Sequence, residues 1–214
     1  MNERPETTRF YWGRLPHWEV VRGRYFVTIR LQGAIPQQGL ERIARLRDEA
    51  ERAVINGQDG FRERRVVFRQ MEGWLHRSKA VAHMRDPVVA DMVVEALESR
   101  AMDGTWTLFS YVVMPNHIHA FLRLGRDQAD STDAKPGPAT DGALTLVGVL
   151  HDFKVWTARQ ANRLLGRTGQ FWQREWFDHW SRSLEQDAGI ERYIRANPVQ
   201  AGLVTEAREW RWLK

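Results

Sequence analysis

Cysteine is absent from this 214-residue chain, which excludes disulfides, thiolate zinc sites and cysteine nucleophiles and suits a reducing compartment. Any metal must then be held by histidine, carboxylate, amide or water. Lysine is almost absent too: only Lys79, Lys135, Lys154 and Lys214 are present, so arginine supplies most of the 32 basic residues that outnumber 27 acidic ones. Guanidinium forks match phosphate oxygens and stack on bases, so this composition suits a nucleic-acid surface better than a lysine-rich one would. No apolar run approaches the roughly 20 residues of a membrane span, and the polar segment 1–16 lacks a signal-type apolar core. A soluble, cytoplasmic protein without a membrane partner is expected, built as one domain over residues 1–214.

What the chain does contain is a pair of histidines one residue apart, His117 and His119, inside an apolar and β-branched run. Side chains at i and i+2 of a strand leave the same face, so both imidazoles can reach one point. Segments 108–114 and 118–124 are strand-like, and Pro115-Asn116 between them is turn chemistry, so His117 opens the second strand of a hairpin. Neutral imidazole is the commonest metal ligand, and the pair reads as half of a divalent-metal site. A solvated His-x-His on a half-buried strand satisfies the same spacing.

Elsewhere the periodicity predicts a strand ending near Leu31, a helix over 38–54, and a helix over 88–101 capped by Asp86-Pro87. The stretch 62–69 is dense in arginine, and 74–83 reads as a short helix or loop. Residues 125–142, rich in Asp, Gly, Pro, Ser and Thr, read as a flexible loop. A helix ending near Gly166 follows, with Lys154 and Arg159 on its polar faces. Trp172, Trp176 and Trp180 interleave with Arg174, His179 and Arg182, as in single-strand binders, although four-residue spacing equally describes a helical core stripe. Ser183-x-x-Gln186 predicts the N-terminus of a last helix reaching Ala196 and stopped by Pro198. On it, Tyr193 and Asn197 share one face. A tyrosine is a poor nucleophile at its ordinary pKa of about 10, but a nearby cation favours its phenolate.

Taken together, Pro115-Asn116-His117-Ile118-His119, Phe171-Trp172-Gln173-Arg174-Glu175-Trp176-Phe177-Asp178-His179 and Tyr193-Ile194-x-x-Asn197-Pro198-Val199-x-Ala201-Gly202-Leu203-Val204 resemble the REP-associated tyrosine transposases, single-tyrosine members of the HUH nucleases. Pro16-His17-Trp18 and the strand after it resemble that family's first strand. The resemblance implies an α+β fold, a ferredoxin-like sandwich with a central antiparallel sheet, here with a helical insertion at 38–104. It implies that His117, His119 and Asn197 hold Mg²⁺ or Mn²⁺, and that Tyr193 attacks a phosphate of single-stranded or hairpin DNA. A covalent 5′-phosphotyrosine would form, and strands would be rejoined without a nucleotide cofactor. Lys154, Arg159, Trp172 and Arg174 are candidate DNA contacts. Monomer and homodimer are both open, since a dimer can exchange tyrosine helices. Two other readings stand beside this one: a hairpin-DNA binder that does not cleave, and a metal-dependent phosphodiesterase using water.

Overall fold

The computed structural model describes residues 7–12, 16–20, 22–57, 61–126 and 144–214, with side chains left out at 7–19, 54, 61 and 64. Strands β1 (Thr7–Trp12) and β2 (Pro16–Val20) pair antiparallel as a separate two-stranded sheet. The expected strand ending near Leu31 is present, and it is separated from β2 by a turn with Arg22 at φ 56° and the Gly23 N–H donating to Val20 O. The Tyr25 hydroxyl ties the turn down, accepting from Val20 N at 2.7 Å and lying 3.2 Å from Val20 O.

The main sheet is built from β3 (Arg24–Arg30), β4 (Trp106–Val113), β5 (His117–Leu124) and β6 (Phe177–Ser181), all antiparallel, in the order β4-β5-β3-β6. Between β3 and β4 lie α1 (Gln37–Ile55), α2 (Phe61–Arg77), a 3₁₀ turn at His83–Arg85 and α3 (Pro87–Met102). Helix α4 (Leu146–Leu164) joins β5 to β6, and α5 (Leu184–Gln200) follows β6. The succession strand, helices, hairpin, helix, strand, with the first strand inside the sheet between the third and fourth, is the ferredoxin-like topology. The loop expected at 125–142 lies, from residue 127 onward, outside the described residues.

Strand alternation divides the sheet into two faces. Tyr25, Val27 and Ile29 of β3 and Ile118, Ala120 and Leu122 of β5 join one core with Val89, Val93 and Leu97 of α3 and Val149 and Phe153 of α4. Phe26 and Phe121 on the other face pack with Ile194 and Tyr193 of α5. The β4–β5 register shifts between Leu108 and Ser110, so Trp106 and Leu108 share the first core with Tyr111 and Val113 despite the change of parity.

Two helix expectations are corrected. The arginine-dense stretch continues into the first part of 74–83 as a single helix, α2, which ends at Arg77, because Val67, Met71 and Leu75 make a buried stripe while Arg62, Arg65 and Arg69 point outward. Helix α5 does not stop before Pro198 but runs on to Gln200, with Pro198 buried inside it and the Ala201 N–H donating to Asn197 O. Its start is as expected: Ser183 Oγ accepts from Gln186 N, while the Gln186 side chain accepts from Arg182 N. Among the described residues, no helix is long and apolar enough to cross a membrane.

Candidate metal centre and tyrosine

Strand β5 lies inside the sheet, so the two histidines it carries are covered on both sides and from above. His117 is 1% exposed and His119 0%. Their Nε2 atoms approach to 3.1 Å, and each Nδ1 is engaged elsewhere. His117 Nδ1 lies 2.6 Å from Asn116 Oδ1, and Asn116 Nδ2 donates to Leu75 O at 2.8 Å and Ser78 O at 3.2 Å. With its amide nitrogen so used, Asn116 offers its oxygen, and His117 Nδ1 must be the donor. That leaves the Nε2 lone pair facing the site. His119 Nδ1 lies 2.8 Å from Thr28 Oγ1 of β3, and the Phe26 ring stacks on this imidazole at 5.2 Å. Burial, then the neighbouring His119, holds the His117 pKa well below its ordinary value, so this ring is neutral.

Helix α2 supplies a carboxylate opposite the pair. Glu72, 6% exposed, has Oε2 3.3 Å from His119 Nε2 and 3.5 Å from His76 Nε2. Burial alone would raise its pKa, but the His119 charge and hydrogen bond, then His117 and Tyr193, hold the carboxyl well below the usual carboxylate range. The site thus contains a buried negative charge. One ligand atom each from Glu72, His117 and His119 falls within 4.8 Å of the others, the only such three-residue donor group among the described residues.

From α5, Tyr193 Oη donates to Glu72 Oε2. Asn197 Nδ2 lies 3.1 Å from Tyr193 Oη and 3.4 Å from Glu72 Oε2. Burial, then the charge of Glu72, raises the Tyr193 pKa and keeps the phenol protonated in this arrangement. Two buried oxygens, Glu72 Oε1 and Asn197 Oδ1, have no hydrogen-bond partner. Unpaired oxygens and the inward-facing lone pair of His117 Nε2 are what a cation relieves. Ligands at metal–nitrogen lengths of about 2.1 Å and right angles stand about 3 Å apart, close to the separation of the two Nε2 atoms. The donor set can therefore hold a divalent ion.

The structure brings His117, His119, Tyr193 and Asn197 together. It does not bring Lys154, Arg159, Trp172 or Arg174 to them. Lys154 and Arg159 stand on α4, which packs with α3 over the opposite face. Lys154 donates to Arg174 O at 2.6 Å and lies over the Trp176 ring. Trp172 is a core residue, 3% exposed, donating from Nε1 to Thr157 Oγ1, and its segment is extended, bridging Leu31, so it is neither an open stacking platform nor part of a helical stripe. Glu72 escaped the sequence reading. Its signal was an acid placed next to Met71 and between Phe68 and Leu75 on the buried stripe of an otherwise arginine-rich helix.

No family model and no curated protein matches the chain. Among solved structures, one of a REP-associated tyrosine transposase bound to a REP hairpin is similar at a TM-score of 0.50, covering 90% of this chain and 76% of that one at 16% identity. At that identity the likeness is one of fold, and the α+β sandwich around a central antiparallel sheet that the motifs imply is the fold this chain adopts.

Proposed function

We propose that this protein is a divalent-metal-dependent endonuclease and strand transferase for single-stranded DNA, acting on hairpin-forming elements, with Tyr193 as its nucleophile. The observation that carries the reading is the meeting of Tyr193 with the buried donor set: its hydroxyl bonds to the same Glu72 oxygen that faces His119. A structural tyrosine does not need a buried anion beside two imidazoles, and burying that anion is costly. The neighbouring fold, seen with hairpin DNA in the similar transposase, supports the substrate class.

In this reading His117, His119 and Glu72 hold Mg²⁺ or Mn²⁺, with Asn197 Oδ1 beside them as a further oxygen. The ion, when bound, supplies Lewis-acid polarisation of the scissile phosphate. Asn116 and Thr28 fix the imidazoles so that both Nε2 atoms point inward. Asn197 orients the phenol through its amide. Tyr193 Oη forms the bond to phosphorus as the bond from phosphorus to the 3′-oxygen breaks, leaving a 5′-phosphotyrosine and a free 3′-hydroxyl. The phenolic proton, carried at the start on the hydrogen bond to Glu72 Oε2, ends on the leaving 3′-oxygen. Attack by a 3′-hydroxyl on the phosphotyrosine reverses these steps and rejoins strands. Tyr193 and His119 belong to one chain with ring centroids 5.5 Å apart, which supports cleavage in cis by a monomer.

Incubation with hairpin oligonucleotides carrying single-stranded flanks, in Mn²⁺, tests the reading. A covalent protein–DNA adduct is expected, and its loss in Tyr193→Phe. Cleavage that survives Tyr193→Phe without an adduct would identify a water-using phosphodiesterase, and tight binding without any cleavage would identify a binder.

A further inference from the structure

A cavity of 340 Å³ that Tyr193 lines is bounded by α2, β3, β6 and α5. Its walls are aromatic: Phe26, Phe68, Phe177 and the Tyr193 ring itself. These rings form one continuous cluster, with Phe68 4.9 Å from Phe177 and 5.5 Å from Tyr193, and Phe26 5.7 Å from Tyr193. Arg65, His179 and Gln186 add polar groups to the lining. The volume falls within the range of about 300–1,000 Å³ typical of small-ligand sites.

Gly189 is the telling residue. It lines the cavity from inside α5, where glycine weakens a helix relative to alanine. Its φ is not positive, and a Cβ built there would meet nothing nearer than Arg192 Nη2 at 4.0 Å. Gly39 in α1 is different, because a Cβ there would come within 2.7 Å of Ile35 and 2.9 Å of Trp74. Packing accounts for Gly39 and does not account for Gly189. What the missing side chain at 189 preserves is open space in a cavity lined by aromatic residues, Tyr193 among them.

Resting on the DNA reading above, we propose that this cavity seats one nucleobase of the single strand, that of a nucleotide flanking the phosphate presented to Tyr193. A lining of four aromatic rings offers a base stacking and edge contacts of the kind single-strand binders use. The shared Tyr193 ring couples the two sites: a base held against it fixes where along the strand the hydroxyl attacks. The cavity is then a determinant of cleavage position, separate from whatever surface recognises the hairpin.

The test compares two labelled strands by fluorescence anisotropy in Mn²⁺, one of ten thymidines and one of ten abasic tetrahydrofuran phosphates of equal charge. Wild-type protein is expected to bind the base-bearing strand about tenfold or more tightly, the scale of one stacked base. Gly189→Leu, which fills the cavity, should bring the two affinities together while leaving abasic binding unchanged. Gly189→Ala, which favours the helix, should lower the ratio less and guards against a folding defect in the larger variant. Equal affinities in the wild type, or an undiminished ratio in both variants, would overturn the proposal. Loss of the ratio in Gly189→Leu, with no tyrosine adduct on any hairpin, would leave the cavity assigned and sink the strand-transfer reading. An adduct formed by wild type and Gly189→Leu alike, with the ratio intact, would do the reverse.

Discussion

The two faces of one sheet follow different physical rules, and alternate residues of β3 display both. Tyr25, Val27 and Ile29 enter a core shared with α3 and α4, where buried area and close packing supply the stability of the fold. Phe26, Thr28 and Arg30 point the other way, toward α2 and α5, and share that side with His117, His119, Glu72 and Asn197. All of these polar residues are less than 9% exposed. Arg30 is pushed down to about 10 by burial and by Arg47, with Glu175 opposing, and it donates to the Met71 thioether. Buried charges of this kind are often replaceable by apolar groups without loss of stability. Their concentration on one face, while the reverse side of β3 and β5 carries Tyr25, Val27, Ile29, Ile118, Ala120 and Leu122, marks that face as shaped by chemistry and the other as shaped by folding.

Two substitutions break the comparison if it is wrong. Phe153→Ala, on the packing face, removes a fully buried ring that contacts Trp106 and should cost about 3–5 kcal/mol in urea unfolding. The Mn²⁺ affinity of the protein that remains folded should be unchanged by titration calorimetry. Glu72→Gln should show the opposite pattern. The metal-free protein should lose less stability than Phe153→Ala, a loss expected because the folded state favours the ionised carboxyl through His119, His117 and Tyr193, while Mn²⁺ affinity should fall about 10–100-fold. If Glu72→Gln unfolds the protein as severely as Phe153→Ala, the polar face is carrying the fold and the division between faces fails.

The packing face was the more legible in sequence because it obeys local periods. The hairpin, the Asp86 cap and the stripe of α4 all follow from neighbours a few residues apart, and each appears where its spacing placed it. The chemical face was legible only where its residues repeat the same local logic. His117 and His119 share a strand face, and Tyr193 and Asn197 share a helix face, so each pair could be read from its own segment. Glu72 could not. It approaches His119 across 47 residues and Tyr193 across 121, and nothing within α2 states which partners the fold will bring to that acid. Pro198 failed for a related reason: its local preference to end a helix is outweighed by burial of its ring in the folded chain. The tryptophan spacing misled because four-residue periodicity carries no weight where the chain is extended.

Lys154 gives the smallest and most specific test, because it sits on a packing-face helix and yet carries a charge into partly buried surroundings. Its amine donates to Arg174 O, lies over the Trp176 ring and is faced by Glu175 and Arg30. Burial pushes its pKa down to about 8, Glu175 opposing and Arg30 assisting. The folded chain then releases this proton near pH 8, and the unfolded chain releases it near the ordinary 10.5. Between those values the unfolded state holds more protons, so this group's contribution makes stability rise with pH. The slope is at most about 1.4 kcal/mol per pH unit, and less here because the amine keeps some contact with water. Lys154→Met preserves the stem packing and removes the titration. At pH 7 its urea midpoint should lie within about 1 kcal/mol of the wild type, since a charge leaves a desolvated site as one hydrogen bond is lost. From pH 8 to 10.5 the wild type should gain on the variant. Parallel curves over that interval would mean that the amine is hydrated, and that the packing face tolerates a charge only because water reaches it.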